Sequence, residues 1–386
     1  MNILLITNLY PPQELGGYGR SMADFAWGLR KLGNKIKIIC SDAPYLDIKP
    51  KQKETQIKRS LILKGSFKNG VNNILDPKKR KTIDDFNNNE LKKVLSEEIW
   101  DGILIGNIDL IGMEILPTLL QSKLPILHHI GFMEPSFSPN EIPKFTNYKL
   151  ISASCAVEQS LAKKGFITDK DDVVYPGARV ELFGEKVTNR KLPDLPDGTR
   201  TRPLCIAFAG LLMSSKGLHT LIEALIKLKN KKIATRTIIA GNEFQHNYKS
   251  SLKKLLKENN FLDCVIFAGS LNREQLSRFF RLNHVLVFPS IFPEAFGIVQ
   301  AEAMASGLAI ISSGVGGSKE LVQSGVNGWL FNSQDSDELS RQLYELAKKP
   351  QLIKEFGGNG EKMATNYFNT LESAKKLEAI FRKMSQ

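Results

Sequence analysis

The sequence predicts an α/β fold that occurs twice along the chain, as two parallel-sheet domains. A length of 386 residues suits two domains of ordinary size. Short apolar runs alternate with segments of helical periodicity, which favours a parallel sheet covered by helices on both faces. Residues 186–202 interrupt this alternation with proline, glycine and many charges, and then it begins again. We therefore predict domains at 1–185 and 203–369, joined by a linker at 186–202.

In the first predicted domain, the apolar run at residues 2–9 begins the sheet. Apolar residues at helical spacing follow it as far as Gly33, which ends the helix. Further apolar runs predict strands at 35–40, 103–105, 125–130, 149–154 and 173–175. Helical segments separate most of these strands.

The second predicted domain repeats the alternation. Apolar runs predict strands at 204–209, 236–240, 265–267, 285–288 and 308–312, and periodic segments predict helices at 216–229, 248–258, 274–281, 298–305 and 317–323. The chain is predicted to be mostly helical from residue 335, and a last helix at about 370–386 is one that can cross back onto the first domain. Parallel sheets of this kind bind ligands beyond the carboxyl ends of their strands, so we expect a ligand cleft between the domains.

Composition narrows the classes of function. The net charge of +13 and the pI near 9.4 favour an anionic partner, such as phosphate, nucleic acid or an acidic membrane. The four cysteines form no Cys-x-x-Cys pair, which argues against a zinc site or a disulfide scaffold and fits a reducing cytosol. No apolar run reaches the length of about 18 residues that spans a membrane, and the start lacks the basic residues of a signal peptide. We therefore expect a cytoplasmic protein.

Two loops between a strand and a helix have features that suit a phosphate. The first contains Gly16 and Gly17, whose backbone would let an anion approach the start of the next helix. A plain tight turn explains this loop equally well. The second runs from Gly210 to Lys216 and places a cation at a helix start, where it opposes the helix dipole unless an anion lies between them. A solvated surface lysine is the alternative there.

A third loop follows the predicted strand at 285–288 and carries two glutamates, Glu294 and Glu302. The amides of Gly297, Ile298 and Val299 begin a predicted helix, where they could meet a diphosphate. Glu302 lies on that helix and could accept hydrogen bonds from ribose hydroxyls. Each glutamate alone could be a solvated surface charge, but several glycine-marked helix starts in one half of the chain favour a common nucleotide site.

Taken together, these residues resemble the glycosyltransferase family 4 enzymes. Those enzymes have the GT-B fold, in which two Rossmann-like domains face each other across a cleft. The matching pieces span most of the chain in the family's order: the Pro-Pro…Gly16-Gly17 loop, the Gly210…Lys216-Gly217 segment, the Glu294…Glu302 pair in Pro-Glu-Ala-Phe296-Gly297, the stretch from Gly316 to Phe331, and the hinge-like stretch from Tyr175 to Phe183.

The resemblance implies a retaining glycosyltransferase that moves a sugar from a UDP-, GDP- or ADP-sugar to a glycan, a lipid-linked acceptor or a small molecule, in cell-envelope or polysaccharide biosynthesis. The second domain would hold the nucleotide and the first domain the acceptor. Lys216 and the amides near Gly297 would stabilise the leaving diphosphate. Glu294 would hold hydroxyls of the donor sugar and Glu302 the ribose. The resemblance adds Gly16, Gly17, Gly210, Phe296, Ile298 and Val299 to the donor site, and it implies no metal or other cofactor.

The sequence departs from the family pattern at two places. Leu211 stands where the family has an arginine directly after the first glycine of its phosphate motif, so one charged contact must come from elsewhere, for which Arg20 and Lys319 are candidates. The family also places an acceptor-side histidine near the end of a strand in the first domain, and His128 and His129 both qualify. Strand side chains alternate in direction, so only one can face the cleft. We favour His129, because the family's usual position, occupied here by Gly131, has the same parity.

Much of the positive charge lies in residues 49–93, which contain 13 Lys and Arg against five Asp and Glu. This stretch could dock on the anionic inner face of a membrane, bind an anionic acceptor, or be a solvated loop. Two other functions remain open: a non-catalytic nucleotide-sugar-binding or partner subunit, suggested by Leu211, and a nucleic-acid binder, suggested by the pI. The chain has no recognisable nucleic-acid-binding motif, so we expect no nucleic-acid partner.

Overall fold

Most of the apolar runs form strands of two separate sheets in the computed structural model, which describes residues 1–43, 46, 55–68, 70–142, 146–184 and 193–385. Within these residues, each sheet has six strands and all neighbouring strands are parallel. The strands of the first sheet are β1 (Asn2–Thr7), β2 (Lys35–Ser41), β3 (Ile57–Leu61), β6 (Gly102–Ile105), β7 (Ile126–Ile130) and β8 (Tyr148–Ser152). A separate antiparallel pair joins β4 (Gly65–Ser66) to β5 (Asn72–Asn73).

The second sheet contains β9 (Leu204–Ala209), β10 (Thr235–Ala240), β11 (Val265–Gly269), β12 (Val285–Phe288), β13 (Ala309–Ser312) and β14 (Gly328–Leu330). Its order is β11-β10-β9-β12-β13-β14, and the first sheet has the matching order β3-β2-β1-β6-β7-β8. Both are doubly wound Rossmann-type sheets, in which the strand order reverses between the first and fourth strands. β1 and β9 are almost wholly buried, as expected for strands covered on both faces.

The α-helices are α1 (Tyr18–Lys31), α2 (Pro77–Glu97), α3 (Leu116–Gln121), α4 (Cys155–Lys163), α5 (Val180–Phe183), α6 (Leu218–Asn230), α7 (Tyr248–Glu258), α8 (Arg273–Phe280), α9 (Ile298–Ala305), α10 (Ser336–Lys348), α11 (Gln351–Tyr367) and α12 (Thr370–Met384). They bury one face against the sheets. In α1, for example, Met22, Phe25 and Leu29 lie in the core with Ile3 and Leu5 of β1. No helix within the described residues has the length and apolarity needed to cross a membrane.

The chain divides into two units, Met1–Pro176 with Thr370–Gln386, and Gly177–Asn369. The boundary therefore lies at Pro176, whereas we predicted residue 185. The reason is α5, in which Phe183 is fully buried with its ring 6.1 Å from that of Phe280. The predicted linker at 186–202 falls partly on residues 185–192, which lie outside the described residues. The last helix, α12, belongs to the first unit.

Two predicted elements differ from the structure, and two strands were not predicted. Residues 173–175 form no strand, because Val173 makes only an isolated bridge to Ser152 before Pro176 turns the chain. The predicted helix at 317–323 is a short 3₁₀ helix, Gly317–Leu321. The strands β3 and β14 were not predicted: both lie at a sheet edge, where a strand needs fewer apolar residues.

Candidate nucleotide-sugar site

In the second sheet, the strand order reverses between β9 and β12, and both strands lead into a predicted phosphate loop. The chain leaves β9 through Gly210 and reaches Lys216, and it leaves β12 through Pro289 and reaches Glu294. Parallel strands end at the same edge of a sheet, so these loops are neighbours. Doubly wound sheets bind ligands at this point of reversal.

The structure brings Lys216 and Glu294 together as an ion pair, although 78 positions separate them in the sequence. Nζ of Lys216 lies 2.6 Å from Oε1 of Glu294, and both side chains remain partly exposed. The hydroxyl of Ser290 donates to the same carboxylate oxygen at 2.5 Å. An ammonium and a carboxylate thus lie side by side within reach of solvent.

Backbone contacts between the two loops hold this pair in place. The amide of Ile291 donates to the carbonyl of Ser215 at 2.8 Å, directly before Lys216. Gly217 has a φ of +66°, and a Cβ added to it would lie 1.9 Å from the carbonyl oxygen of Pro289. A side chain at residue 217 would therefore push the loops apart, which explains why a glycine follows Lys216.

The helix α9 begins beside Glu294 and contains Glu302. Gly297 precedes α9 with a φ of +101°. Phe296, Gly297, Ile298 and Val299, all predicted to be donor-site residues, therefore lie at the N-terminal end of this helix, where unpaired amides and the helix dipole favour an anion.

Glu302 is fully buried, and its Oε1 lies 3.1 Å from Nη2 of Arg273, on α8. A role for Glu302 as a ribose ligand stays a prediction, and it would require the carboxylate to become accessible.

In the first unit, the loop with Gly16 and Gly17 precedes α1, as predicted. Both glycines are exposed. The next residue, Tyr18, packs its ring on Phe132 at 5.2 Å between centroids, and its hydroxyl donates to the carbonyl of His129. Tyr18 therefore ties this loop to the carboxyl end of β7.

The two candidate histidines lie on β7 and are both buried, with 2% of His128 and 0% of His129 exposed. Nδ1 of His128 lies 2.7 Å from the hydroxyl of Tyr148. Nε2 of His129 lies 2.9 Å from the carbonyl oxygen of Val174, to which it donates, and its ring packs edge-on against Phe25. Alternation along β7 predicts that only one of the two rings faces the cleft. Neither ring is exposed to solvent in the structure, so an acceptor-side role for His128 or His129 stays a prediction.

Burial of these histidines predicts a dependence of stability on pH. Burial lowers the pKa of His128 to about 3, with a further contribution from the neighbouring His129, and burial lowers the pKa of His129 to about 4. The unfolded chain takes up protons near pH 6.5 that the folded chain does not. The free energy of unfolding should therefore decrease as the pH falls from 6.5 towards 4. In His129→Gln, urea unfolding between these values should show a slope smaller by about 1.4 kcal/mol per pH unit. An unchanged slope would contradict a lowered pKa of His129 in the folded chain.

The second unit matches a known family. Residues 196–363 match the family model described as glycosyl transferases group 1. This range contains Lys216, Glu294, α9 and the whole second sheet. These residues are therefore similar to a group 1 glycosyltransferase domain.

Curated proteins that resemble part of this chain include glycosyltransferases with and without an assigned activity. An uncharacterized glycosyltransferase of Methanocaldococcus jannaschii is 32% identical over 170 residues, which cover 42% of this chain and 41% of the relative. D-inositol 3-phosphate glycosyltransferase of Streptomyces griseus is 27% identical over 221 residues, which cover 52% of this chain and 47% of the relative. The chain thus spans about half the length of these relatives.

Solved structures resemble the chain over nearly its whole length. HepE of Anabaena in complex with UDP-glucose has a TM-score of 0.76 at 19% identity, and the match covers 99% of this chain and 100% of HepE. Sucrose-phosphate synthase of Thermosynechococcus elongatus has a TM-score of 0.76 at 20% identity, covering 99% and 98%. These likenesses show the GT-B fold, so the predicted fold class is confirmed.

Sequence reasoning missed two residues of the second unit that contact predicted site residues. Neither Ser290 nor Arg273 was assigned a role from the sequence. Arg273 lies 29 positions before Glu302, so no local spacing connects them.

Within the described residues, no cluster of three or more His, Cys, Asp or Glu side chains could hold a metal ion.

Proposed function

We propose that this chain is a retaining glycosyltransferase that uses a nucleotide-sugar donor. The observation that carries the proposal is the Lys216–Glu294 pair, which lies at the strand reversal of a group 1 glycosyltransferase domain. The pair offers a cation for a diphosphate and a carboxylate for sugar hydroxyls, side by side at the start of α9.

The proposed chemistry assigns a task to each of these groups. The bond between the anomeric carbon and the diphosphate oxygen breaks, the acceptor oxygen bonds to that carbon on the same face, and the acceptor proton passes to the departing diphosphate. Negative charge grows on the diphosphate, and the ammonium of Lys216 and the amides of Gly297 to Val299 stabilise it. Glu294 positions the sugar, and Ser290 fixes the orientation of its carboxylate.

The relatives support a nucleotide-sugar as donor. HepE binds UDP and UDP-glucose in the matching structures, and the Streptomyces relatives are named as glycosyltransferases of D-inositol 3-phosphate. For this chain, we propose a UDP-, GDP- or ADP-sugar as the donor and no metal in the reaction.

The proposal is tested in two steps. A thermal-shift screen with UDP, GDP, ADP and their sugar conjugates identifies the donor base, since a ligand that binds the native state stabilises it. Nucleotide release is then measured with that sugar and a panel of acceptors. Turnover supports the enzyme, whereas binding without turnover on any acceptor supports the alternative, a non-catalytic nucleotide-sugar-binding subunit.

Some cations of the basic stretch at 49–93 contact groups within the first unit, so only part of its charge is available to a membrane or an anionic acceptor. Residues 49–54 and 69 of this stretch lie outside the described residues. Lys64 is buried, with Nζ 2.8 Å from Asp84 and 2.6 Å from Glu114. Arg59 donates to the carbonyls of Tyr10 and Pro11 at 2.9 and 2.6 Å. These cations hold the first unit together and do not offer a docking surface.

The exposed basic residues of this stretch lie beside exposed apolar ones, on a surface that we call the basic tip. It consists of Lys68, Val71, Leu75, Lys78, Lys79 and Lys81, at the β4–β5 pair and the first turns of α2. Leu75 is 85% exposed and Val71 61%. Exposed apolar side chains in a segment with several exposed lysines suit an anionic membrane, into which the apolar groups insert while the lysines meet the headgroups. We therefore propose the basic tip as a membrane contact that brings the enzyme to its acceptor.

Replacing Lys78, Lys79 and Lys81 by Gln should weaken binding to vesicles of phosphatidylcholine and phosphatidylglycerol by about a hundredfold, since each lysine contributes about 1 kcal/mol. Cosedimentation at low salt measures the effect. The matched control replaces three exposed lysines of α12, Lys375, Lys376 and Lys383, and should change binding little. If the wild-type chain does not sediment with these vesicles, the membrane contact is wrong.

A further inference from the structure

A nucleotide-sugar diphosphate carries one negative charge on each phosphate, and the proposed donor site would place Lys216 beside it. Lys216 is already paired with Glu294. Leu211 occupies the position where the family resemblance implies an arginine. A second cation from a residue near the start of α9 would balance the charge of the second phosphate.

Arg20, one of two candidates from the sequence, is already engaged. Its Nη2 lies 3.1 Å from Oε1 of Glu14, and 16% of its side chain is exposed. Arg20 therefore stabilises the Gly16–Gly17 loop of its own unit.

The second candidate, Lys319, lies in the 3₁₀ helix Gly317–Leu321. The turn at residues 315–318, where this helix begins, is hydrogen-bonded to the backbone of Glu294. The amide of Glu294 donates to the carbonyl of Val315 at 3.1 Å, and the amide of Gly317 donates to the carbonyl of Glu294 at 2.7 Å. Gly316 has a φ of +67°, and a Cβ added to it would lie 2.4 Å from that same carbonyl oxygen. The turn is thus pressed against the backbone of Glu294.

The same turn reaches the N-terminal end of α9. A Cβ added to Gly297 would lie 3.6 Å from Cβ of Ser318, the residue before Lys319. Nε2 of Gln300 also donates to the carbonyl of Ser318 at 3.3 Å. Lys319 therefore belongs to the segment that borders both Glu294 and the helix start where the diphosphate is proposed to bind.

Lys319 is exposed, and within the described residues it has no ion-pair partner. Its Cγ lies 3.6 Å from the position of a Cβ on Gly314, directly after β13. The stem of Lys319 therefore follows the loop at the carboxyl end of the sheet, and its ammonium is available to an anion.

We propose that Lys319 is the second cation of the donor diphosphate site and replaces the arginine that is absent at Leu211. This inference rests on the proposed function. It predicts a specific exchange: a cation at position 211 should compensate for the loss of the cation at position 319.

The test is calorimetric titration with UDP, GDP and ADP. The nucleotide that the wild-type chain binds most tightly becomes the probe. Lys319→Ala should bind this probe roughly tenfold to a hundredfold more weakly, which corresponds to the loss of one charge-assisted contact. Lys319→Arg should bind it about as tightly as the wild type. The double variant Leu211→Arg, Lys319→Ala should recover most of the affinity, which a structural role of Lys319 would not explain. Lys362→Ala, at an exposed lysine of α11, is the control.

The titration distinguishes failure of the proposed function from failure of the inference about Lys319 alone. If the wild-type chain binds none of the three nucleotides, the proposed function fails and the inference fails with it. If the wild type binds the probe and Lys319→Ala binds it equally tightly, the inference alone is wrong.

Discussion

Lys216→Ala is expected to lower the rate of sugar transfer by about a hundredfold to a thousandfold, measured as nucleotide release at saturating donor. This is the range seen when one group that stabilises developing charge is removed. The ammonium of Lys216 is held beside Glu294 by the contacts of Ser215 with Ile291 and of Gly217 with Pro289. Its loss therefore removes charge from a prepared position.

Glu294→Gln should also reduce turnover strongly, because the amide keeps the shape of the carboxylate but loses its charge and its pairing with Lys216. The control is Lys227→Ala, which breaks another lysine–carboxylate pair of the same unit, with Nζ 2.8 Å from Asp337. This control should retain nearly full activity. Full activity in Lys216→Ala would contradict the assignment of this pair to the reaction.

Arg273→Met is expected to lower the free energy of unfolding by about 3 kcal/mol, because it removes the guanidinium next to a fully buried carboxylate. Breaking such a pair costs more than the pair itself contributes, since the charge that remains stays out of water. Urea unfolding at neutral pH measures the change.

Two further variants make this prediction specific. Adding Glu302→Leu to Arg273→Met should restore part of the lost stability, because the buried charge is then gone. Arg202→Met, which breaks an exposed pair with Asp197, should leave the urea midpoint nearly unchanged. If Arg273→Met unfolds at the same urea concentration as the wild type, the buried carboxylate of Glu302 does not need Arg273 for its stability.

Much of the fold could be predicted because strands buried on both faces have continuous apolar sequences. The strands β9 and β12 and the helices α7 and α9 have the predicted bounds. The edge strand β3 was missed because its sequence, Ile-Lys-Arg-Ser-Leu, is mixed in polarity, and a basic stretch surrounds it. The domain boundary was placed too late because the fixed position of α5 depends on Phe280, about a hundred residues further along the chain.

The candidate site was predictable as a set of residues but not as a set of contacts. Glycines and charges near helix starts identified Lys216 and Glu294, whereas their direct pairing depends on two strands that are neighbours only in the folded sheet. For His128 and His129, alternation along β7 predicts that the two rings face opposite sides of the sheet. It does not show that Tyr148 and Val174 close over them, because those residues come from other parts of the chain.

A crystal structure with the nucleotide that gives the largest thermal shift would test the central claim most directly. The diphosphate should lie within hydrogen-bond distance of Lys216 and of the amides at the start of α9, with the carboxylate of Glu294 facing the sugar position. A nucleotide bound away from the carboxyl ends of β9 and β12 would contradict the account.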